Sequence, residues 1–181
     1  CQNRRLRYCA SNWSNGKPGP GNPGTVDVDG VFGNVGQTTA FFSGATVTVG
    51  SGATLSGNVD FPAGGANQWI FNNSTVNLGD DFFSYNSFFT LNAGSSVNAG
   101  DFFLAQDNGG SITINGGTHT AGSGFGSSDK SSTLDFLGGN VVAGRFIFDV
   151  GVVTIGGTAV ATATGTTLTT DVDGNVNVLS E

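Results

Sequence analysis

Aspartates recur at a fixed distance in the middle of the chain, where they could act together. Asp80 and Asp81 follow one glycine and Asp101 follows another, 21 residues after Asp80. If the chain coils once between them, their carboxylates stack side by side, and such groups can hydrolyse a glycosidic bond or bind calcium. Catalysis would also require a shaped groove with basic or aromatic partners, and the only basic residues after position 24 are Lys130 and Arg145. We therefore predict solvent-facing aspartates, no enzymatic activity and no cofactor, and keep a calcium site as the alternative.

The single histidine, His119, is predicted to be structural. No cysteine or acidic residue stands at ligand spacing from it, and no Ser/His/Asp group can be assembled around it from the sequence. It occupies the place in its repeat that Val76, Val97 and Val141 occupy in theirs. We therefore expect an inward-pointing ring that is hydrogen-bonded to the backbone.

These residues are spaced by an internal repeat. A glycine returns every 21 or 22 residues, and all but the last are followed within a few residues by phenylalanine. The marker glycines are Gly36, Gly57, Gly79, Gly100, Gly122, Gly144 and Gly165. A fixed period of this length indicates one small structural unit stacked on copies of itself.

Each repeat contains three short stretches that alternate between apolar and polar residues, as half-buried strands do. We predict an all-β, single-domain parallel β-solenoid (β-helix) of about seven turns with three short strands per turn. Gly or Asn precedes the second stretch, where a left-handed residue would turn the chain: Asn73, Gly94, Gly116 and Gly138. One phenylalanine per turn would form a core ladder: Phe61, Phe83, Phe103, Phe125 and Phe146. A β-sandwich is the competing fold, but its strands have no reason to recur at an even period.

The chain divides by composition into three segments. Residues 1–24 form an extended Gly/Pro-rich arm with four basic residues and no acid: Arg4, Arg5, Arg7 and Lys17. Residues 25–165 form the solenoid body, and residues 166–181 a C-terminal strand or a hairpin around Asp173-Gly174. The arm carries +4 and the rest of the chain −11, which together give the net charge of −7.

The composition predicts a protein outside the cell or at its surface. Only 10% of the residues are charged, and the absence of Met even at position 1 predicts a processed chain. Cys1 and Cys9 could close a small disulfide loop, which would require an oxidising compartment, or Cys1 could be the lipidated first residue of a lipoprotein. No run of about 18 apolar residues occurs, so we predict no membrane span.

Outward positions of the predicted strands form columns of small polar residues. The first column is Thr48, Thr90, Thr113 and Thr154, interrupted by Ile70 and Asp135. A second set pairs Thr75 with Asn77, Ser96 with Asn98, and Thr118 with Thr120. Flat Thr-rich solenoid faces resemble those of ice-binding proteins, although threonine also simply favours strands. Ice binding is therefore one hypothesis of function.

The run Ala45–Gly57, which reads ATVTVGSGATLSG, resembles the low-complexity repeats of bacterial extracellular solenoids such as autotransporter passengers and filamentous adhesins. In style the resemblance extends over residues 36–165. It implies attachment to a surface, a matrix or a fibre, without catalysis.

The two ends of a solenoid are open strand edges, and this sequence offers no amphipathic helix to cap them. We predict a non-catalytic structural subunit of an extracellular filament or surface layer that assembles head-to-tail with other copies of itself. Its arm would dock on a neighbour through Arg4, Arg5, Arg7, Trp13 and Lys17, and the Cys1–Cys9 loop would stiffen the tip. The alternative is a monomeric adhesin or glycan-binding module that uses outward residues such as Tyr85. Neither hypothesis involves nucleic acid.

Overall fold

The structure is a computed structural model that describes residues 24–26, 30–32, 44, 46–50, 52–57, 66–106, 109–165, 168–170 and 175–178. Within these ranges there is no helix, and thirteen strands form one sheet. The strands are β1 (Gly24–Val26), β2 (Gly30–Phe32), β3 (Thr46–Val49), β4 (Thr54–Gly57), β5 (Gln68–Phe71), β6 (Thr75–Leu78), β7 (Phe82–Phe83), β8 (Phe88–Leu91), β9 (Ser96–Ala99), β10 (Phe102–Ala105), β11 (Ser111–Ala163), β12 (Leu168–Thr170) and β13 (Asn175–Val178). β11 is a continuous extended ribbon of 53 residues that passes through successive turns.

Every strand pair is parallel and joins residues about one repeat apart. Thr46 pairs with Gln68, Gln68 with Phe88, and Phe88 with Ser111. The pairs form three faces: the first contains β1, β3, β5, β8 and β13, the second β2, β4, β6 and β9, and the third β7, β10 and β12. β11 pairs with β8 and β13 on the first face, with β9 on the second, and with β10 and β12 on the third.

This arrangement confirms the predicted parallel β-solenoid with three short strands per turn. The largely continuous described part, residues 66–165, forms about five turns, whereas the prediction was seven for the whole chain. The prediction counted one turn for each of the marker glycines. The third stretches of the first two repeats, which include Phe61, lie outside the described residues.

The marker glycines recur because the chain touches itself at one corner from turn to turn. A Cβ on Gly100 would lie 2.3 Å from the carbonyl oxygen of Gly79, and a Cβ on Gly122 would lie 2.1 Å from that of Gly100. The same clash appears higher in the stack, at 2.7 Å between Gly144 and the Gly122 oxygen and at 2.8 Å between Gly165 and the Gly144 oxygen. Real side chains do not approach a carbonyl this closely, so each turn must have glycine at this corner.

The corner before the second face also needs a residue with positive φ, as the sequence predicts, but not always at the predicted residue. Asn73 and Gly94 adopt φ of 47° and 78° as expected. In the next turn the left-handed residue is Gly117, with φ of 97°, instead of Gly116. Gly116 serves a different purpose, because a Cβ there would lie 3.1 Å from the Cα of Ala93. The turn after it repeats this shift by one residue, with Gly139 at φ of 86° in place of Gly138.

The core is an aromatic stack along the axis of the coil. Phe82, Phe103 and Phe125 are each no more than 1% exposed, and their ring centroids are 4.9 and 5.1 Å apart. Phe146 continues the stack at 5.9 Å from Phe125 and is partly buried. Since each ring packs on the ring of the next turn, one turn cannot bury its phenylalanine without its neighbours.

The prediction that Phe83 belongs to this ladder is wrong. Phe82 pairs with Phe103, so it takes the inward position, and the next residue along the strand must point to the opposite side. Phe83 pairs with Leu104 and joins a separate apolar cluster on the outer side of the third face, together with Ile147.

The C-terminal segment continues the coil. β12 pairs with Phe146–Phe148, and β13 pairs with Val152–Ile155, both in parallel. Within the described residues, β12 and β13 do not pair with each other.

Candidate functional site

The three aspartates lie together at the corner between the second and third faces. One carboxylate oxygen from each of the three residues lies within 4.8 Å of the other two, with Asp80 exposed and Asp81 and Asp101 half-buried. The backbone N–H of Phe102 donates a hydrogen bond of 2.8 Å to Oδ1 of Asp81, and the N–H of Asp101 donates one of 3.3 Å to the carbonyl of Asp80. The sequence prediction that these residues stack on adjacent turns agrees with this placement.

This acidic cluster can hold a positive charge. Calcium binds oxygen ligands at about 2.3–2.6 Å, so two ligands of one ion can be about 5 Å apart, and a separation of up to 4.8 Å fits. Glycosidases hold their two carboxyl groups about 5–5.5 Å apart when they retain the sugar configuration and about 6.5–9.5 Å apart when they invert it, so the separation here argues against the inverting arrangement only. Ser123 follows Asp101 in the next turn, where its N–H donates to the Asp101 carbonyl, so the acidic column does not continue into that turn.

His119 is an internal part of the fold. Its side chain is completely buried, Nδ1 accepts a hydrogen bond of 3.1 Å from the N–H of Val97, and Nε2 lies 2.9 Å from the carbonyl oxygen of Gly116. The two contacts together require a neutral ring that is protonated on Nε2, because Nδ1 is the acceptor. Burial lowers the pKa of His119 and opposes protonation, although the Gly116 hydrogen bond acts in the other direction. The ring is inward and bonded to the backbone, as predicted.

The outer side of the first face is a regular array of mostly polar residues. Thr48, Ile70, Thr90 and Thr113 are paired in register across four strands, and all four are half-buried. Asp135 and Thr154 hold the equivalent place in the next turns, each between inward-facing apolar neighbours. The hydroxyl of Thr46 donates a hydrogen bond to Oε1 of Gln68 at 3.3 Å, whereas the hydroxyl groups of Thr90 and Thr113 have no hydrogen-bond partner among the described residues.

The polar residues of the second face, in contrast, bond to one another along the stack. The amide of Asn98 donates to Oδ1 of Asn77 at 2.7 Å, and the hydroxyl of Thr120 donates to Oδ1 of Asn98 at 3.1 Å. A second ladder runs up the corner between the first and second faces, where Asn115 donates to Asn92 and Asn92 to Asn72, at 2.9 and 2.7 Å. These side chains stabilise the stacking of turns. Because their amide and hydroxyl groups are already paired, fewer donors and acceptors remain for a ligand.

The outer side of the third face carries the apolar cluster that the sequence prediction missed. Phe83, Leu104 and Ile147 are its buried members, each between 6% and 8% exposed, and Tyr85 and Phe102 pack beside them. Gly124 makes room for this packing, because a Cβ there would lie 2.6 Å from Cδ1 of Ile147 and 3.0 Å from the ring of Phe102. The available signal was the doubled phenylalanine in successive repeats, since one of two adjacent strand residues must face outward.

An arginine covers part of this outer cluster. The guanidinium carbon of Arg145 lies 5.9 Å from the centre of the Phe102 ring, a cation–π distance. Tyr85 meets Phe83 edge-to-face at 5.2 Å, so the side chain predicted as a glycan contact is half-buried in this cluster.

Each end of the first face is an open strand edge within the described part of the chain. β1 pairs only with β3, and β13 pairs only with β11. Residues 1–23 lie outside the described residues, and with them the predicted arm contacts and disulfide: Cys1, Arg4, Arg5, Arg7, Cys9, Trp13 and Lys17.

Within the described residues, no helix is long and apolar enough to cross a membrane. Comparison of the chain with protein families, curated proteins and solved structures found no match.

Proposed function

We propose that this chain is a non-catalytic structural subunit that assembles head-to-tail into an extracellular filament or surface layer. The observation that supports the proposal is the relation between its terminal strands. β1 and β13 stand at opposite ends of the same parallel row on the first face, and each pairs on one side only within the described residues. A second copy placed above the first would bring its β1 against the free side of β13, in the same strand direction.

Such a contact would be driven by main-chain hydrogen bonds. An unpaired strand edge is a template for another strand, and strand addition is a common mode of recognition between proteins. Because the two surfaces in contact differ, and the translation along the coil does not close into a ring, the product is an open filament.

Electrostatics favour the same arrangement. The first 24 residues carry +4 and the remainder −11, which sum to the −7 of the chain, so the arm of one copy is attracted to the body of another. The acidic cluster brings three carboxylates together on the described surface, at Asp80, Asp81 and Asp101, and we assign it as the dock for the basic arm. This attraction would weaken with salt, because exposed charges are screened over about 8 Å at physiological ionic strength.

The test combines electron microscopy with sedimentation over a range of protein concentrations. The full chain is expected to form uniform fibres about one subunit wide, and removal of residues 1–23 is expected to abolish them while the body remains folded. Single particles at every concentration would refute the proposal. Loss of folding on removal of the arm would show that the arm caps its own solenoid instead.

A matched pair of proline variants tests the strand edge itself. Successive N–H groups of a strand point toward opposite neighbours, so Val176→Pro and Asn177→Pro in β13 remove N–H groups from opposite sides. One variant should lose fibres with little loss of stability, and the other should destabilise the last turn against β11. Fibres unchanged in both variants would exclude β13 as the contact.

A glycan-binding adhesin is the second candidate. It is favoured by the half-buried aromatic residues Tyr85 and Phe102 on the third face, next to the carboxylate of Asp81. Dispersed particles that bind an immobilised glycan, and lose that binding in Tyr85→Ala, would support it over the filament.

A further inference from the structure

We propose that the outer side of the first face binds ice. This side, called here the hydroxyl face, is formed by the outward residues of six successive strand segments: Thr46, Thr48, Gln68, Ile70, Phe88, Thr90, Ser111, Thr113, Thr133, Asp135, Val152 and Thr154. Six of these twelve residues are threonine, and one, Asp135, is charged. The inference is independent of whether the chain forms filaments.

The hydroxyl face is regular in two directions. Neighbouring strands of a sheet are about 4.8 Å apart, and alternate residues of one strand are about 6.7 Å apart, so the outward groups form a rectangular grid. The strand pairing keeps this grid in step from Thr46 to Ser111 and from Thr48 to Thr113, without an inserted residue. A repeating grid of this kind can match the repeating surface of a solid at many points at once. A single small molecule would contact only one part of the grid, so the repetition would not strengthen its binding.

The groups on the grid are fixed before binding. Threonine is branched at Cβ, which limits its side chain to few rotamers, and the strands beneath are anchored by fully buried residues such as Val47 and Leu91. Preorganised groups lose little conformational entropy on binding. A hydroxyl of fixed position can replace one water of an ordered lattice with a similar hydrogen bond.

The other faces lack one or more of these properties. The amides and hydroxyls of Asn77, Asn98 and Thr120 on the second face bond to each other along the stack. The third face is occupied by the apolar cluster around Phe83 and Leu104. Within the described part of the coil, the unpaired hydroxyl groups of Thr90 and Thr113 therefore lie on the first face.

Charge and aromatic content decide between classes of partner. The hydroxyl face has no lysine or arginine and one carboxylate, Asp135, so it offers no positive charge to nucleic acid or to an anionic membrane. A face that binds a polysaccharide would be expected to present aromatic rings at successive turns, on which the sugar rings could stack. Phe88, which is 42% exposed, is the one aromatic side chain on this face.

The direct test is to grow ice slowly from a dilute solution of the full chain and to measure how much protein enters the ice. Thermal hysteresis of the same sample is the second readout. We expect enrichment in ice over a non-binding protein of similar size, together with measurable hysteresis. Exclusion from ice equal to that of the control protein, with no hysteresis, would overturn the proposal.

Matched variants locate the binding face. Thr113→Lys at the centre of the hydroxyl face should lower the ice-bound fraction about tenfold, because a long charged side chain holds several neighbouring sites away from the lattice. Thr118→Lys, on the second face five residues later, is the control and should bind as the parent does. Asp135→Thr, which replaces the single charge, should increase binding. Equal loss in Thr113→Lys and Thr118→Lys would overturn the assignment, and Thr90→Lys serves the same purpose if Thr113→Lys does not fold.

Discussion

The imidazole of His119 accepts a hydrogen bond on Nδ1 from the backbone N–H of Val97, its partner residue one turn below, at 3.1 Å. The neighbouring turns place valine at this position and need no such bond. The substitution of a titratable ring for an aliphatic side chain makes one core position sensitive to pH.

We expect the free energy of unfolding to fall as the pH falls below about 6.5. The unfolded chain binds a proton on His119 near that pH, whereas burial keeps the folded pKa lower, so between the two values the unfolded state holds more protons. The slope is at most about 1.4 kcal/mol per pH unit for one such group. Urea unfolding of the parent and of His119→Val between pH 5 and pH 7.5 should show this slope in the parent alone. An equal slope in the variant would assign the effect to other groups.

Gly122→Ala should destabilise the fold by about 3 kcal/mol or more, as other changes that force a steric clash in a packed site do. The added Cβ would lie 2.1 Å from the Gly100 carbonyl and would push two turns apart. Gly165→Ala makes the same change with a contact of 2.8 Å near the end of the stack and should be milder. Thermal unfolding of both variants measures the difference in stability. Similar losses of stability would mean that the backbone at this corner can move enough to accommodate a Cβ.

Phe103→Ala should lower the free energy of unfolding by about 3–5 kcal/mol, because it removes a fully buried ring from the middle of the aromatic stack. Phe88→Ala is the control, since its ring is 42% exposed on the first face and its loss should change stability by less than about 1 kcal/mol. Denaturant titration of the two variants distinguishes the ladder from the surface. A small effect of Phe103→Ala would mean that the stack repacks around the gap.

Asp101→Asn should stabilise the chain at neutral pH and low salt, because it removes one of three carboxylates that lie within 4.8 Å. The gain should shrink at high salt, where repulsion is screened. The melting temperature should be measured with and without calcium. If calcium binds this cluster, it will raise the melting temperature of the parent more than that of Asp101→Asn, and equal responses would show that the cluster holds no calcium.

The sequence predicts the coil well because both of its signals are local. The spacing of the marker glycines follows from a contact that each turn repeats, at Gly100 over Gly79 and at Gly122 over Gly100. The alternation of apolar residues then defines which side chains enter the core, and it placed His119 correctly among the valines.

The errors of the sequence prediction arise where two adjacent residues are chemically alike. Either Phe82 or Phe83 could be the inward ring, and only the pairing of Phe82 with Phe103 decides between them. In the same way, either glycine of Gly116-Gly117 could take the left-handed conformation. Such choices depend on the register between turns, which composition and spacing do not contain. The outer cluster was missed for the same reason, because Phe83 and Phe102 are the outward members of the pairs Phe82-Phe83 and Phe102-Phe103.

Each turn of this coil is paired only with the turns directly below and above it. Its stability is therefore a sum of turn stabilities and nearest-neighbour couplings, as in a one-dimensional chain of units, and not the property of a single closed core. Unfolding should begin at the two terminal turns and proceed inward one turn at a time. Hydrogen exchange of the backbone amides should therefore be slowest near the middle of the stack. Any turn added to an end, whether from the same chain or from another, would slow the unfolding of all the turns on its inner side.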